Sequence, residues 1–179
     1  MAEHSFSLLP FPDSNIPDIQ ITGIISRKKN VLAVHFTVIG QIDVIFFPEV
    51  TTHPQRKDDL WRTTCFEFFL AVPEKPEYWE FNMSPSGDWN VYHMDAYRQV
   101  GLREERTIQH LQFSIACGRE SVNIKAAIDL TPFGQEGGQI QTEITSVIAD
   151  KNGHETYWAV AHPGPHADFH RREGFVIQL

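Results

Sequence analysis

Residues 60–98 read LWRTTCFEFFLAVPEKPEYWEFNMSPSGDWNVYHMDAYR, a stretch that holds three of the chain's four tryptophans. Two runs inside it, 65–72 and 78–83, are aromatic and apolar, and the turn signal Pro73-Glu-Lys-Pro76 separates them. In an extended strand successive side chains point to opposite faces. Phe66, Phe68 and Leu70 therefore share one face, while Cys65, Glu67 and Phe69 share the other. The second run repeats the pattern, with Trp79, Phe81 and Met83 on one side and Tyr78, Glu80 and Asn82 on the other. If the runs pair as a hairpin across 73–77 with their apolar faces matched, Glu67, Glu80, Asn82 and Ser84 line up on one face. The stretch thus reads as sheet, with an apolar side and a polar row.

The same grammar extends in both directions. Short β-branched and aromatic runs occur at 19–26, 31–39, 41–46, 89–94, 111–117, 121–129, 139–149, 156–161 and 175–179, separated by turn signals such as Arg27-Lys-Lys-Asn30 and Lys151-Asn-Gly153. No long segment has helical period, so the expected class is all-β, a sandwich of two antiparallel sheets with at most one or two short helices. Asp129-Leu-Thr-Pro132 opens one such helix, which Gly134 cuts short. No internal repeat or linker interrupts the pattern, and 1–179 reads as a single domain. Residues 48–59 form a polar, strand-poor loop of a length that is often functional.

Bulk composition narrows the function. At 179 residues, with 41% hydrophobic and 21% charged residues, the chain can bury its own core without disulfides or a structural metal. The net charge of -8 argues against a nucleic-acid partner, which would require a concentrated basic patch. No apolar run reaches membrane-spanning length, and the N-terminus lacks the basic and apolar regions of a secretory signal, so a cytoplasmic protein is expected. Cys65 and Cys117 each lie in an apolar run and read as buried thiols.

The polar row admits two readings. It is either the solvated side of an antiparallel sheet or a binding face, with carboxylates and an amide for hydroxyl groups and aromatic rings for the C–H face of a sugar. Trp61, Trp89 and Tyr97 are the candidate ring platform, better placed beside loops than Trp79. Arg98 either forks onto an anionic group of the ligand or forms a surface ion pair with Asp95. The candidate ligand-binding set is therefore Trp61, Glu67, Glu80, Asn82, Ser84, Trp89, Tyr97 and Arg98.

These residues also carry a resemblance. Leu60-Trp61, Thr64-Cys-Phe-Glu67, Glu67-Phe-Phe-Leu70, Glu80-Phe-Asn-Met-Ser-Pro-Ser-Gly87, Trp89 and Tyr97-Arg98 resemble DOMON-like proteins and their relatives, the family 9 carbohydrate-binding modules. The resemblance spans most of the chain, with the specific match between Trp61 and Arg98 and a weaker echo from Trp158 to Phe169. It implies a jelly-roll-like β-sandwich that binds a ligand without catalysis, mostly a sugar, and haem in some branches. Carbohydrate modules of this kind are usually attached to secreted glycosidases, whereas this chain is expected in the cytoplasm, where a small cytosolic sugar, sugar nucleotide or polar metabolite fits better. Haem would need His93 and Met94 together, but adjacent strand residues point oppositely, so no cofactor is expected.

Three rival readings remain. His162-Pro-Gly-Pro-His166-Ala-Asp-Phe-His170 gathers metal-ligand types, with His166, Asp168 and His170 the candidate set for a divalent ion, although its spacing matches no closed zinc motif. Alternatively this segment hydrogen-bonds internally or contributes to the site beside the central block. An enzyme would use Glu67 and Glu80 as acid and base in glycoside hydrolysis, or the histidine-rich segment in metal-dependent hydrolysis. An interaction domain would use Trp61 and Trp89 as anchors for another protein.

Overall fold

The computed structural model describes residues 2–13, 15–98, 103–134 and 137–179. Among these the strands are β1 (Ala2–Ser7), β2 (Leu9–Pro10), β3 (Ile19–Lys28), β4 (Val31–Gly40), β5 (Cys65–Ala71), β6 (Tyr78–Met83), β7 (Trp89–Met94), β8 (Arg103–Glu104), β9 (Phe113–Cys117), β10 (Ser121–Asp129), β11 (Gln141–Ala149), β12 (Glu155–Ala159) and β13 (Ile177–Gln178). One sheet has the order β1-β3-β4-β10-β9, the other β2-β12-β11-β5-β6-β7-β8, with β13 also paired to β11. All these pairings are antiparallel, so the chain is a two-sheet β-sandwich. The helical elements among the described residues are short 3-10 turns, one of them Thr131–Phe133, at the helix start expected from sequence. No helix among the described residues is long and apolar enough to cross a membrane.

The core lies where the apolar faces of the two sheets meet. Ile21, Ile25, Leu32, Val34, Phe36 and Val38 from the first sheet pack in one cluster with Phe66, Phe68, Leu70, Phe81, Met83 and Val91 from the second. Phe36 meets Phe66 edge-on at 5.4 Å across the interface, and Phe68 stacks on its cross-strand partner Phe81 at 4.3 Å. The expected hairpin forms, and its register, with Glu67 opposite Asn82 and Phe69 opposite Glu80, puts Glu67, Glu80 and Asn82 on one face.

At Gly23 on β3 the backbone runs so close to Phe6 and the His35 carbonyl that a Cβ would overlap both. Gly23→Ala must push β1 or β4 aside, so we expect a loss of about 1–3 kcal/mol, read as a lowered urea midpoint.

Three expectations need correction. Residues 41–46 are not a strand: Gly40 takes φ +112°, Gln41 N–H donates to Asp18 O, and Ile42–Val44 coil into a 3-10 turn. The backbone bends there because Gly40 approaches Asp18 too closely for a side chain. Residues 2–7, where the sequence reading listed no strand, form β1 by pairing along β3. Cys117 is exposed, because it ends the edge strand β9, whereas Cys65 is buried as expected.

Candidate functional site

Every residue of β5 and β6 is buried, on both faces. The polar row is therefore not a solvated sheet face. Its cover comes from the 3-10 turn Leu60–Arg62 and from the C-terminal segment, which lay Trp61, Phe169 and Phe175 over Phe69, Ala71, Tyr78, Tyr92 and Met94 in a second apolar cluster. Two hydrogen bonds seat the first of these covers: Tyr92 Oη donates to Asp58 Oδ1 at 2.7 Å and Asn90 Nδ2 to the same oxygen at 3.1 Å. Trp61 then rests edge-on against Tyr92 at 5.8 Å.

Between sheet and cover lies a cavity of about 460 Å³. Its floor includes Glu67, Phe69, Tyr78, Glu80 and Val147, and its walls and mouth include Trp61, Arg98, Tyr157, Asp168, Phe169 and His170. Registry brings the acidic groups together. Thr145, Glu67 and Asn82 stand in one row across β11, β5 and β6, and Glu143, Phe69 and Glu80 in the next. Side chains directly opposite or diagonal in such rows are neighbours.

Glu67 and Glu80 are 2% and 4% exposed. Glu67 Oε2 accepts from Thr145 Oγ1 at 3.3 Å, and Glu80 Oε1 accepts from Asn82 Nδ2 at 2.7 Å. Glu67 Oε1 and Glu80 Oε2 have no hydrogen-bond partner among the described residues. Burial, reinforced by the neighbouring Glu80 charge, pushes the Glu67 carboxyl well above the usual range. Burial also raises Glu80, to about 7, against the Asn82 hydrogen bond that favours its ionised form. Glu80 thus titrates near neutrality, and a carboxyl that keeps its proton offers both donor and acceptor positions.

The cover contributes polar groups of its own. His170 Nδ1 shares a hydrogen bond of 2.9 Å with Tyr78 Oη. Burial, aided by the Arg98 charge, lowers His170 to about 4, so it is neutral at pH 7 and its 3.9 Å approach to Glu80 Oε2 is no ion pair. Burial works against ionised Asp168, but hydrogen bonds from Tyr97 Oη at 2.7 Å and Arg98 Nη2 at 3.0 Å outweigh it and hold this carboxyl below its ordinary range.

The residues singled out from sequence divide accordingly. Trp61, Glu67, Glu80 and Arg98 line the cavity. Asn82 is fully buried beside it and orients Glu80, while Tyr97 at the mouth holds Asp168. Ser84 belongs to the β6–β7 turn, where its Oγ accepts from Ser86 N–H and Ser86 Oγ. Trp89 faces the opposite way: it lies opposite Met83 on β6, sits in the main core, and has the Arg56 guanidinium 4.4 Å above its ring. Arg98 pairs with Asp168, and Asp95 with Arg103.

The metal set does not converge. His166 is exposed, Asp168 is engaged by Tyr97 and Arg98, His170 by Tyr78, and no group of three His, Cys, Asp or Glu among the described residues is arranged to hold a metal ion. The segment instead roofs the cavity. Sequence reading missed Phe69 and Tyr78 as floor residues, although the alternation already placed them on the same face as the two glutamates. Tyr157 and Phe169 left no local signal, since the β11–β12 register and the path of the C-terminal segment bring them there.

No family model and no curated protein matches the chain. Solved structures do resemble it. A proposed carbohydrate-binding protein from Bacteroides uniformis superposes with a TM-score of 0.65 at 13% identity, over 94% of this chain and 84% of that one. A family 9 carbohydrate-binding module from Caldicellulosiruptor kristjanssonii in complex with glucose gives 0.58 at 11% identity, over 92% and 78%. A family 9 module from the same organism in complex with cellotriose gives 0.53 at 13% identity, over 82% and 68%. The fold is thus a two-sheet sandwich of the carbohydrate-binding-module type. Within that type it is similar to family 9.

Proposed function

We propose that this protein is a non-catalytic module of the DOMON-like and family 9 type that binds a small saccharide in the cavity between the β5–β6 hairpin and the C-terminal cover. The observation that carries this reading is the pair of buried carboxyls, Glu67 and Glu80, each with an oxygen unpartnered among the described residues, beside the rings of Phe69 and Tyr78 and under those of Trp61 and Phe169. Carboxyl and phenol groups match sugar hydroxyls, and aromatic faces match the C–H side of the ring. The cavity volume falls within the range of small-molecule sites. That two modules of the same fold were solved with glucose and cellotriose supports the choice of ligand.

Calorimetric titration with monosaccharides and short oligosaccharides tests the reading. One saturable site is expected, and Trp61→Ala should weaken it about tenfold by removing a ring worth about 1.5 kcal/mol. Flat heats across the whole set would overturn it.

A glycosidase is the second reading, favoured by the raised carboxyls, with Glu80 near 7. Aryl glycoside turnover abolished in Glu67→Gln would establish it.

A further inference from the structure

The charge of the cavity narrows the ligand further. Among the described residues that line it, the acidic groups are Glu67, Glu80 and Asp168, and the one strongly basic group is Arg98. Arg98 spends its charge on Asp168, with Nη2 at 3.0 Å from Oδ1 and Nε at 3.4 Å from Oδ2, at the exposed mouth. Nothing comparable answers Glu67 and Glu80 on the floor, because His170 is neutral and the Glu80 partner is an amide. An anionic sugar would meet an engaged guanidinium at the entrance and two carboxyls inside. A cation would meet the reverse: free carboxyl oxygens from two adjacent strands, and ring faces whose quadrupoles attract positive charge.

We propose that the cavity selects an amino sugar, a saccharide whose protonated primary amine is received by Glu67 Oε1 and Glu80 Oε2 while its ring lies against the aromatic wall. The proposal rests on the saccharide reading above and adds charge to it. Both residues line the cavity, and both oxygens are buried without a hydrogen-bond partner among the described residues, so the site already holds acceptors for which a neutral polyol supplies only ordinary hydroxyl hydrogen bonds. An ammonium supplies charge-assisted ones, roughly twice as strong.

The test is calorimetric titration of the full chain at about pH 7.5, where Glu80, near 7, is largely ionised and a sugar amine is still mostly protonated, with glucosamine, glucose and glucuronate. Glucosamine is expected to bind at least about tenfold more tightly than glucose, and glucuronate more weakly than either. In the double variant Glu67→Gln with Glu80→Gln the ratio of glucosamine to glucose affinity should collapse toward one. Glutamine keeps the side-chain volume, and the single variant Glu80→Gln serves if the double one does not fold. Glucose binding as tightly as glucosamine, or a preference that survives in the glutamine variants, would overturn the amino-sugar assignment and leave the saccharide site standing. Silence from all three sugars would overturn both.

Discussion

Trp89→Ala is expected to destabilise the protein by about 3–5 kcal/mol without touching the cavity. Trp89 is 2% exposed and sits on the core face of β7, so truncation opens a void between the sheets. The loss spreads to Arg56, whose guanidinium packs on the indole and donates to Asn90 Oδ1 at 2.6 Å, the Glu105 carbonyl at 3.0 Å and the Ile108 carbonyl at 2.5 Å. Arg56 thereby ties the loop before β5 to the segment after β8, and its stacking partner is the residue removed. Urea denaturation should show the midpoint falling by more than that of any cavity-wall variant, while the fraction that remains folded binds saccharide as before. Lost binding at unchanged stability would instead return Trp89 to the ligand site.

The second large effect is a pH dependence from Glu143. Its carboxyl is 1% exposed on β11, both oxygens lack a hydrogen-bond partner among the described residues, and Gly174 of the C-terminal cover packs so closely that a Cβ there would collide with them. Burial, then the Asp168 charge, pushes Glu143 up to about 9, against 4.5 for an ordinary glutamate. Above pH 4.5 the unfolded chain gives up this proton while the folded chain keeps it. The folded state then binds more protons, so stability falls as pH rises, by about 1.4 kcal/mol per unit until the folded carboxyl ionises near 9. Glu143→Gln removes the titration. The variant should match the parent near pH 4 and exceed it by about 3 kcal/mol near pH 7, read from urea midpoints across pH. Parallel pH profiles for the two proteins would show that Glu143 is charged and solvated in the folded state.

The proposed site was half legible from residues 60–98. Period-two alternation with a proline-bounded turn leaves a hairpin few registers, and matching Phe68 to Phe81 places Glu67, Phe69, Tyr78 and Glu80 on one face by geometry alone. The same alternation, carried into 89–94, puts Trp89 with Val91, a core residue, and His93 rather than with Asn90 and Tyr92. Its polar neighbours suggested a rim, but flanking residues on a strand belong to the opposite face.

Local pattern had no means of telling whether the polar row meets water. That depends on the C-terminal segment folding back, a contact between His170 and Tyr78 across 92 residues of sequence, and on Asp58 being held by Tyr92. The histidine-rich segment looked like a set of metal ligands because composition reports which donors are near in sequence, not which directions they face. In the folded chain His166 points to solvent, Asp168 neutralises Arg98, and His170 reaches the cavity.

The sequence by itself determined the all-β class, the β5–β6 hairpin and the shared face of its two glutamates, because strand geometry is local and has a period of two. Only the tertiary structure decided that this face is roofed, that its carboxyls are desolvated, and that Arg98 at the mouth is already paired. Burial and electrostatic pairing arise between residues far apart in sequence, and no local periodicity encodes them.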